Sequence, residues 1–140
     1  MSVRDNVHAT GTLEDKGWEE STYSEAENGP RLTQVSLRSA YSGDLTAEGT
    51  VRYIMYYDAG DAGTGLFLGL EQVTGRLGNR TGSFVLKHVG TFEEGGTLIK
   101  NAISVVPNSG TGELVGLTGD GTIIVKAGET IPYTLDYEVG

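Results

Sequence analysis

The alternation of apolar and polar residues along the chain predicts β-strands almost throughout. Runs rich in Val, Ile, Thr, Tyr and Leu are separated by Gly, Asp and Asn, which favour turns. Several runs span about ten residues, against a usual length of roughly 5–6. Long strands joined by short connections favour a closed, eight-stranded antiparallel all-β barrel over a sandwich. The eight predicted strands are 7–14, 31–41, 47–57, 65–77, 81–92, 97–106, 119–126 and 131–139.

The segment "WEESTYSEAE", residues 18–27, is the one candidate helix in the chain. It is short and acidic and lacks an apolar stripe, so we predict an irregular loop or an edge strand. Neither an internal repeat nor a linker divides the 140 residues, and we expect a single β-barrel domain over 1–140.

Two turns in the middle of the chain allow the strand register to be predicted. In "LGNR" a glycine occupies the first position of a two-residue turn, which is typical of a type II′ hairpin. This register places Glu71 opposite Leu86. In "FEEGGT" we predict a two-residue loop at 94–95, which places His88 directly opposite Asn101. Glu71, His88 and Asn101 would then form a polar cluster on one face of the sheet.

The same hairpin predicts which face lies inside the barrel. Lys87 is a poor interior residue, so Phe84 and His88, which point to the opposite face, are expected inside, and pairing carries Glu71 inward with them. The outward face then holds a row of three leucines, Leu66, Leu68 and Leu70. Such a row commonly marks an interface, and we expect a homodimer or higher assembly, or else the N-terminal segment, to cover it.

The acidic composition narrows the classes of partner. A net charge of −9 argues against nucleic acid and against an anionic membrane surface, because both bind basic faces. The chain has no cysteine, which excludes disulfides and thiolate chemistry. The first residues lack the blocks of a signal peptide, and no apolar run approaches the ~18 residues of a membrane span. A cytoplasmic location is therefore expected.

Motifs for cofactors and metals are weak. "GTGELVGLTGDG" has the glycines of a phosphate loop, but a strand rather than a helix follows it, so we predict a barrel hairpin. His8 and His88 are the only histidines, and no ligand cluster surrounds them in the sequence. Asp58 and Asp61 are too few for a calcium site and are predicted in a solvated turn. We expect neither a cofactor nor a metal.

Several motifs in order resemble a known bacterial family. "FLGLEQVTGRLGNRTGSFVLKHVGTFE", followed by "VVPNSGTGELVGLTGDG" and "PYTLDYE", is similar to the family called domain of unknown function 3224, and "GPRLTQVSLRSAYSGDLTAEGTVRYIMYY" resembles its opening half. The resemblance covers nearly the whole chain. It implies an allene oxide cyclase-like barrel with an internal cavity, and "SGTGELVGLTGDG" is similar to the glycine-rich hairpin that closes allene oxide cyclase and dirigent barrels. It implies no established reaction, and no catalytic residue is carried over from it.

Glu71, His88 and Asn101 are the candidate catalytic residues. Isomerisation without a cofactor needs an acid or base, which Glu71 could supply, while His88 and Asn101 could polarise a substrate oxygen. A structural interpretation stays open, because a buried carboxylate needs hydrogen-bond partners, and His88, Arg52 or a tyrosine would satisfy Glu71 equally well.

Further residues are predicted to line a substrate cavity, although the sequence gives no register that fixes the face of Tyr53 or Met55. Two functions are compatible with such a cavity. One is a cofactor-independent isomerase or cyclase acting on an apolar, oxygen-bearing metabolite, and the other is a non-catalytic carrier of a hydrophobic small molecule. A structural or assembly role through the leucine row is a third, weaker possibility. The predicted lining residues are Phe67, Val73, Phe84, Leu86, Tyr53, Met55, Tyr133 and Tyr137.

Overall fold

A computed structural model describes residues 6–140, which form nine β-strands and one short 3₁₀ turn. The strands are β1 (Val7–Glu25), β2 (Arg31–Gly43), β3 (Leu45–Tyr57), β4 (Gly65–Leu77), β5 (Arg80–Glu93), β6 (Leu98–Val105), β7 (Thr111–Gly112), β8 (Leu117–Lys126) and β9 (Ile131–Val139), with the 3₁₀ turn at Glu94–Gly96.

Eight of these strands close into an antiparallel barrel. They pair in the order β1–β2–β3–β4–β5–β6–β8–β9, and β9 pairs back onto β1. The two-residue β7 adds to β5 outside this ring. The predicted fold class is therefore confirmed, and each predicted strand coincides with one barrel strand, although β1 runs much further than predicted.

The second half of β1 is an edge strand. β1 pairs with β9 only as far as Leu13, opposite Ile131, whereas its pairing with β2 continues to Glu25. The segment 18–27, apart from its last two residues, therefore belongs to this one-sided part of β1, as the edge-strand alternative predicted. The register slips in two places along it, and Gly17 takes a φ of 69° beside the first slip. These bulges blunt an edge that would otherwise pair with another chain.

The two ends of the barrel differ. The lower end, where β2 meets β3 and β4 meets β5, is closed by packed apolar side chains, including the fully buried Leu114 from the connection between β7 and β8. A second apolar cluster lies nearer the upper end, where β3 meets β4 and β5 meets β6. The lower cluster seals the barrel, and the upper one leaves a cavity.

The first predicted hairpin is confirmed and the second is wrong in detail. Glu71 pairs with Leu86, and Gly78 takes the positive φ of 62° that its turn requires. Between β5 and β6, however, residues 94–97 form a four-residue loop, with φ angles of 56°, 70° and 85° at its first three positions. Asn101 is consequently opposite Gly90 rather than His88. Because the error is two residues, Asn101 stays on the predicted face.

The predicted inner and outer faces are confirmed. Phe84, His88 and Glu71 are each at most 2% exposed. The outward leucines are 46–58% exposed, and Ile54 and Val89, which are also exposed, pair on either side of Leu68. These side chains define an outer apolar patch made of Ile54, Leu66, Leu68, Leu70 and Val89.

Candidate ligand-binding site

A cavity of about 240 Å³ lies inside the upper half of the barrel. Its volume lies just below the usual range for ligand pockets, roughly 300–1,000 Å³. Two glycines of the 3₁₀ turn and Ala62 and Gly63 of the β3–β4 connection contribute to its wall, so the cavity lies next to the upper loops. The rest of the lining is apolar or aromatic with a few polar groups: Leu13, Asp15, Trp18, Leu37, Ser39, Tyr41, Tyr53, Met55, Tyr57, Phe67, His88, Phe92, Ile99, Asn101, Ile123 and Val125.

A buried polar cluster lies against the cavity and centres on His88. The Glu71 carboxylate oxygen Oε1 is 2.8 Å from His88 Nε2 and accepts a hydrogen bond of 2.7 Å from the Tyr41 hydroxyl. On the other side of the ring, Nδ1 lies 2.7 Å from Asn101 Nδ2 and 3.3 Å from the Tyr53 hydroxyl. The ring of Tyr53 also packs edge-on against the imidazole. Side chains from three other strands, β3, β4 and β6, thus hold the histidine in place.

These contacts assign donor and acceptor roles to the histidine. The Nε2–H group donates to the Glu71 carboxylate, and Nδ1 accepts from the Asn101 amide and from the Tyr53 hydroxyl. Both ring nitrogens are therefore engaged. Two buried oxygens have no partner among the described residues, Glu71 Oε2 and Asn101 Oδ1. Of the two residues, Asn101 lines the cavity and Glu71 does not.

The space for the Glu71 carboxylate comes from a glycine on the neighbouring strand. Gly49 of β3 lies across from β4, and a Cβ atom at this position would overlap Glu71 Oε2. Gly69 plays the same part for Tyr53, whose ring would overlap a Cβ there. The polar cluster therefore depends on two strand glycines as much as on its own polar residues.

Asp15 is an ionisable residue in the edge half of β1, and its side chain lines the cavity. The Ser39 hydroxyl donates a hydrogen bond of 3.3 Å to its carboxylate. Partial burial raises the pKa of Asp15, and the negative charge of Glu71 adds to this effect, while the Ser39 hydrogen bond and His88 oppose it. Burial also raises the pKa values of Tyr41 and Tyr53, so both phenols stay protonated.

The predicted site residues divide into three groups. Tyr53, Met55 and Phe67 line the cavity, as do His88 and Asn101, which settles the inward face of Tyr53 and Met55. Glu71 lies behind His88, without a place on the cavity wall. The remaining predicted lining residues pack in the lower core because they lie further down their strands: Val73, Phe84, Leu86, Tyr133 and Tyr137.

Sequence reasoning missed most of the cavity wall, and four of the polar or aromatic residues that it missed show why. Ser39 and Tyr41 follow the inward alternation of β2, so a consistent face assignment along that strand would have found them. Asp15 follows the inward alternation of Ala9 and Leu13, but the predicted strand ended at residue 14, one position too early. Trp18 could not be found in this way, because the bulge after Lys16 resets the alternation of β1.

Within residues 6–140, no group of three histidine, aspartate or glutamate side chains is arranged to hold a metal ion. His8, the other histidine, lies outside the cavity in an exposed ion pair with Asp136, 2.6 Å away. Asp58 and Asp61 each accept a backbone N–H two residues ahead, in the predicted turn. In the described part of the chain, no helix is long and apolar enough to cross a membrane.

Comparison with known proteins gives a family and a related structure. Residues 9–137 match the family described as "Protein of unknown function (DUF3224)". The fold is similar to the crystal structure of a protein with unknown function from the DUF3224 family of Shewanella oneidensis MR-1, with a TM-score of 0.76 and 29% sequence identity over 95% of this chain and 96% of that one. No curated protein shows significant similarity to the chain. Since the family match spans nearly all of the barrel, the chain belongs to the DUF3224 family.

Proposed function

We propose that the barrel binds a small, largely apolar molecule in its upper cavity. The observation that carries this proposal is the combination of an aromatic and aliphatic wall with a few convergent polar groups, in a barrel whose other end is tightly packed. Ligand sites usually have this composition, with the apolar wall supplying affinity and the polar groups fixing orientation. Asn101 lines the cavity, and its buried Oδ1 has no partner among the described residues, so a hydroxyl or amine of the ligand would satisfy it once the side chain shifts toward the cavity.

Cofactor-independent isomerisation or cyclisation of an apolar, oxygen-bearing metabolite is the second candidate. It is favoured by Asp15, whose raised pKa suits proton transfer, on the wall of the same cavity as His88. In this reaction Glu71 would orient His88 and stabilise its charge rather than touch the substrate. An enzyme of this kind should keep binding but lose turnover in a Glu71→Gln variant, whereas a carrier has no turnover to lose.

Filling the cavity tests the binding function. Val125 lies on the cavity wall, so Val125→Trp should occupy the space that a ligand would take. The next residue, Lys126, is exposed on the outer surface, and Lys126→Trp is the matched control. Native mass spectrometry of protein purified gently from its own host should show a bound small molecule on the wild type and the control. The Val125→Trp variant should lack it.

Two results would contradict the proposal. One is a wild-type protein free of ligand that also fails to take up a panel of lipophilic probes, which would mean that the cavity is not used for binding. The other is equal occupancy in the wild type and the Val125→Trp variant, which would place the ligand elsewhere. Thermal melting of both variants checks that each remains folded.

A further inference from the structure

We infer that the molecule bound in the cavity is a small organic cation, with an ammonium group carried on an apolar body. This inference rests on the proposed binding function and goes beyond it by naming the charge of the ligand. It is drawn from three features of the cavity: the sign of the charges at its wall, the number of aromatic residues, and the Asn101 oxygen that has no partner among the described residues.

The charges at the cavity wall favour a positive ligand. Among the described residues that line the cavity there is no lysine and no arginine, and Asp15 is the only carboxylate. A second carboxylate, Glu71, lies directly behind His88. The chain as a whole has a net charge of −9, so the surrounding field has the same sign. An anionic ligand would be repelled and would find no basic side chain to pair with.

The aromatic side chains add a second attraction for a cation. Tyr57 lines the cavity, and so do five other aromatic residues: Trp18, Tyr41, Tyr53, Phe67 and Phe92. The faces of such rings attract ammonium groups, and cages of this kind recognise quaternary ammonium ligands in other proteins. Tyr57 already shows the interaction, since the guanidinium of Arg31 lies 4.2 Å from the centre of its ring.

Arg31 does not cancel the negative character of the cavity. It does not line the cavity, it covers one face of Tyr57, and its Nε lies 4.0 Å from a carboxylate oxygen of Glu25. The positive charge of Arg31 therefore lies at the outer edge of the upper end of the barrel. Arg31 therefore leaves Asp15 available to a ligand.

A buried hydrogen-bond acceptor on a residue of the cavity wall adds a third feature. Asn101 is 5% exposed, lines the cavity, and has an Oδ1 atom without a partner among the described residues. Once the Asn101 side chain shifts toward the cavity, an N–H group of a protonated amine could donate to this oxygen, while the Asp15 carboxylate balances the charge. A carboxylate ligand would instead bring an acceptor to an acceptor.

Three probes of nearly equal size and different charge test the inference. Phenethylammonium, 2-phenylethanol and phenylacetate share one apolar body and can be titrated into the wild-type protein at pH 7.5 by calorimetry or ligand-observed NMR. We expect phenethylammonium to bind about tenfold more tightly than 2-phenylethanol. Phenylacetate should bind more weakly than both.

A charge-neutralising variant assigns the preference to the cavity. Asp15→Asn should reduce the ratio of the phenethylammonium and 2-phenylethanol affinities to threefold or less. Glu14→Gln removes an equal charge from the neighbouring position on the outer surface of β1 and should leave the ratio at about tenfold. Val125→Trp should weaken all the probes that bind.

The outcomes separate this inference from the proposed function. If 2-phenylethanol binds as tightly as phenethylammonium, or if phenylacetate binds most tightly, the cavity binds ligands but the inference about their charge is wrong. If the Glu14→Gln and Asp15→Asn variants change the ratio equally, the preference comes from net charge and not from the site. If none of the three probes binds, the proposed function and the inference fail together.

Discussion

At the scale of single residues, Glu71 and His88 owe their positions to neighbours that satisfy them. A carboxylate with no solvent exposure would be very unfavourable alone, but Tyr41 and His88 both donate to Glu71 Oε1. The tyrosine and the histidine come from different strands, so the carboxylate connects β2, β4 and β5. The Glu71 carboxylate is therefore expected to stabilise the barrel whether or not it takes part in a reaction.

Removing this carboxylate should destabilise the barrel. Glu71→Gln replaces the buried Oε2 by an NH2 group that has no acceptor among the described residues, and it removes the charge that strengthens the two hydrogen bonds to Oε1, so we expect the free energy of unfolding to fall by about 1–3 kcal/mol. Tyr41→Phe removes one of the two hydrogen bonds and should lower it by a similar or smaller amount. Because both changes affect the same contact, the double variant should lose less than the sum of the two. Urea unfolding measures all three values.

Glu48 supplies the control for this cycle. It is exposed on the outer face of β3, next to Gly49, so Glu48→Gln should change the free energy of unfolding by at most about 0.5 kcal/mol. Strictly additive effects of Glu71→Gln and Tyr41→Phe would contradict the network described for the polar cluster.

Much of the polar cluster could be predicted from the sequence, because it depends on alternation and on turn chemistry. Glu71 and His88 follow from one two-residue turn, and the structure confirms their shared face. The partner of Asn101 could not be predicted correctly, since consecutive residues of the β5–β6 loop adopt positive φ and lengthen it. The position of Trp18 could not be predicted either, because the bulge between Lys16 and Glu19 resets the alternation of β1 and has no clear sequence pattern.

At the scale of elements, the side chain of Glu20 adds hydrogen bonds to the backbone pairing that joins the edge half of β1 to β2. Glu20 accepts a hydrogen bond of 2.6 Å from the Thr33 hydroxyl and another from the Tyr57 hydroxyl, and Trp18 Nε1 lies 3.2 Å away. Partial burial alone would raise the pKa of Glu20, but these hydrogen bonds together outweigh burial and lower it. The resulting stabilisation is present above the unfolded pKa of Glu20 and is lost as the pH falls through the folded pKa.

We therefore expect Glu20→Gln to loosen the edge half of β1 without unfolding the barrel. Amide hydrogen exchange at pH 7 should become several-fold faster in residues 16–25, where β2 is the only pairing strand, and stay unchanged in residues 7–13. Glu19→Gln is the matched control, because Glu19 pairs with the outward Ser36 and points away from the cavity. Uniformly faster exchange over the whole of β1 would contradict this assignment.

The glycine content shows where sequence reasoning about elements reaches its limit. Many of the 22 glycines were expected in turns, and those with positive φ confirm this at several connections. Others, such as Gly49 and Gly69, lie inside strands, where they admit a carboxylate or an aromatic ring from the next strand. Such a position can be recognised only after the register of both strands is known.

At the scale of the whole molecule, the expected homodimer through Leu66, Leu68 and Leu70 stays a prediction. The outer apolar patch extends this row across three strands, since Ile54, Leu68 and Val89 pair side by side. Isolated exposed apolar residues are common on proteins, but a contiguous group of this kind favours an interface. The patch lies on the outside of the barrel and is separate from the cavity.

A charge in the centre of the patch tests this expectation. If two copies associate there, Leu68→Asp should convert the dimer to a monomer in sedimentation equilibrium at micromolar concentration, because a carboxylate would be buried without a partner. Gln72→Asp, an exposed outward position on the same strand, should leave the dimer intact. A wild-type protein that sediments as a monomer would show that the patch is not a self-association surface.

The early end of the β1–β9 pairing has a kinetic consequence. Beyond Leu13 and Ile131 the backbone of β1 makes no ladder to β9, and Asp15 and Trp18 lie beside this gap on the cavity wall. If the cavity binds a ligand, the ligand could enter or leave at this gap by rotation of side chains, without breaking any backbone hydrogen bond of the barrel. The residence time of the ligand would then be independent of the stability of the barrel. A thermostabilised variant would release a bound ligand as quickly as the natural chain does.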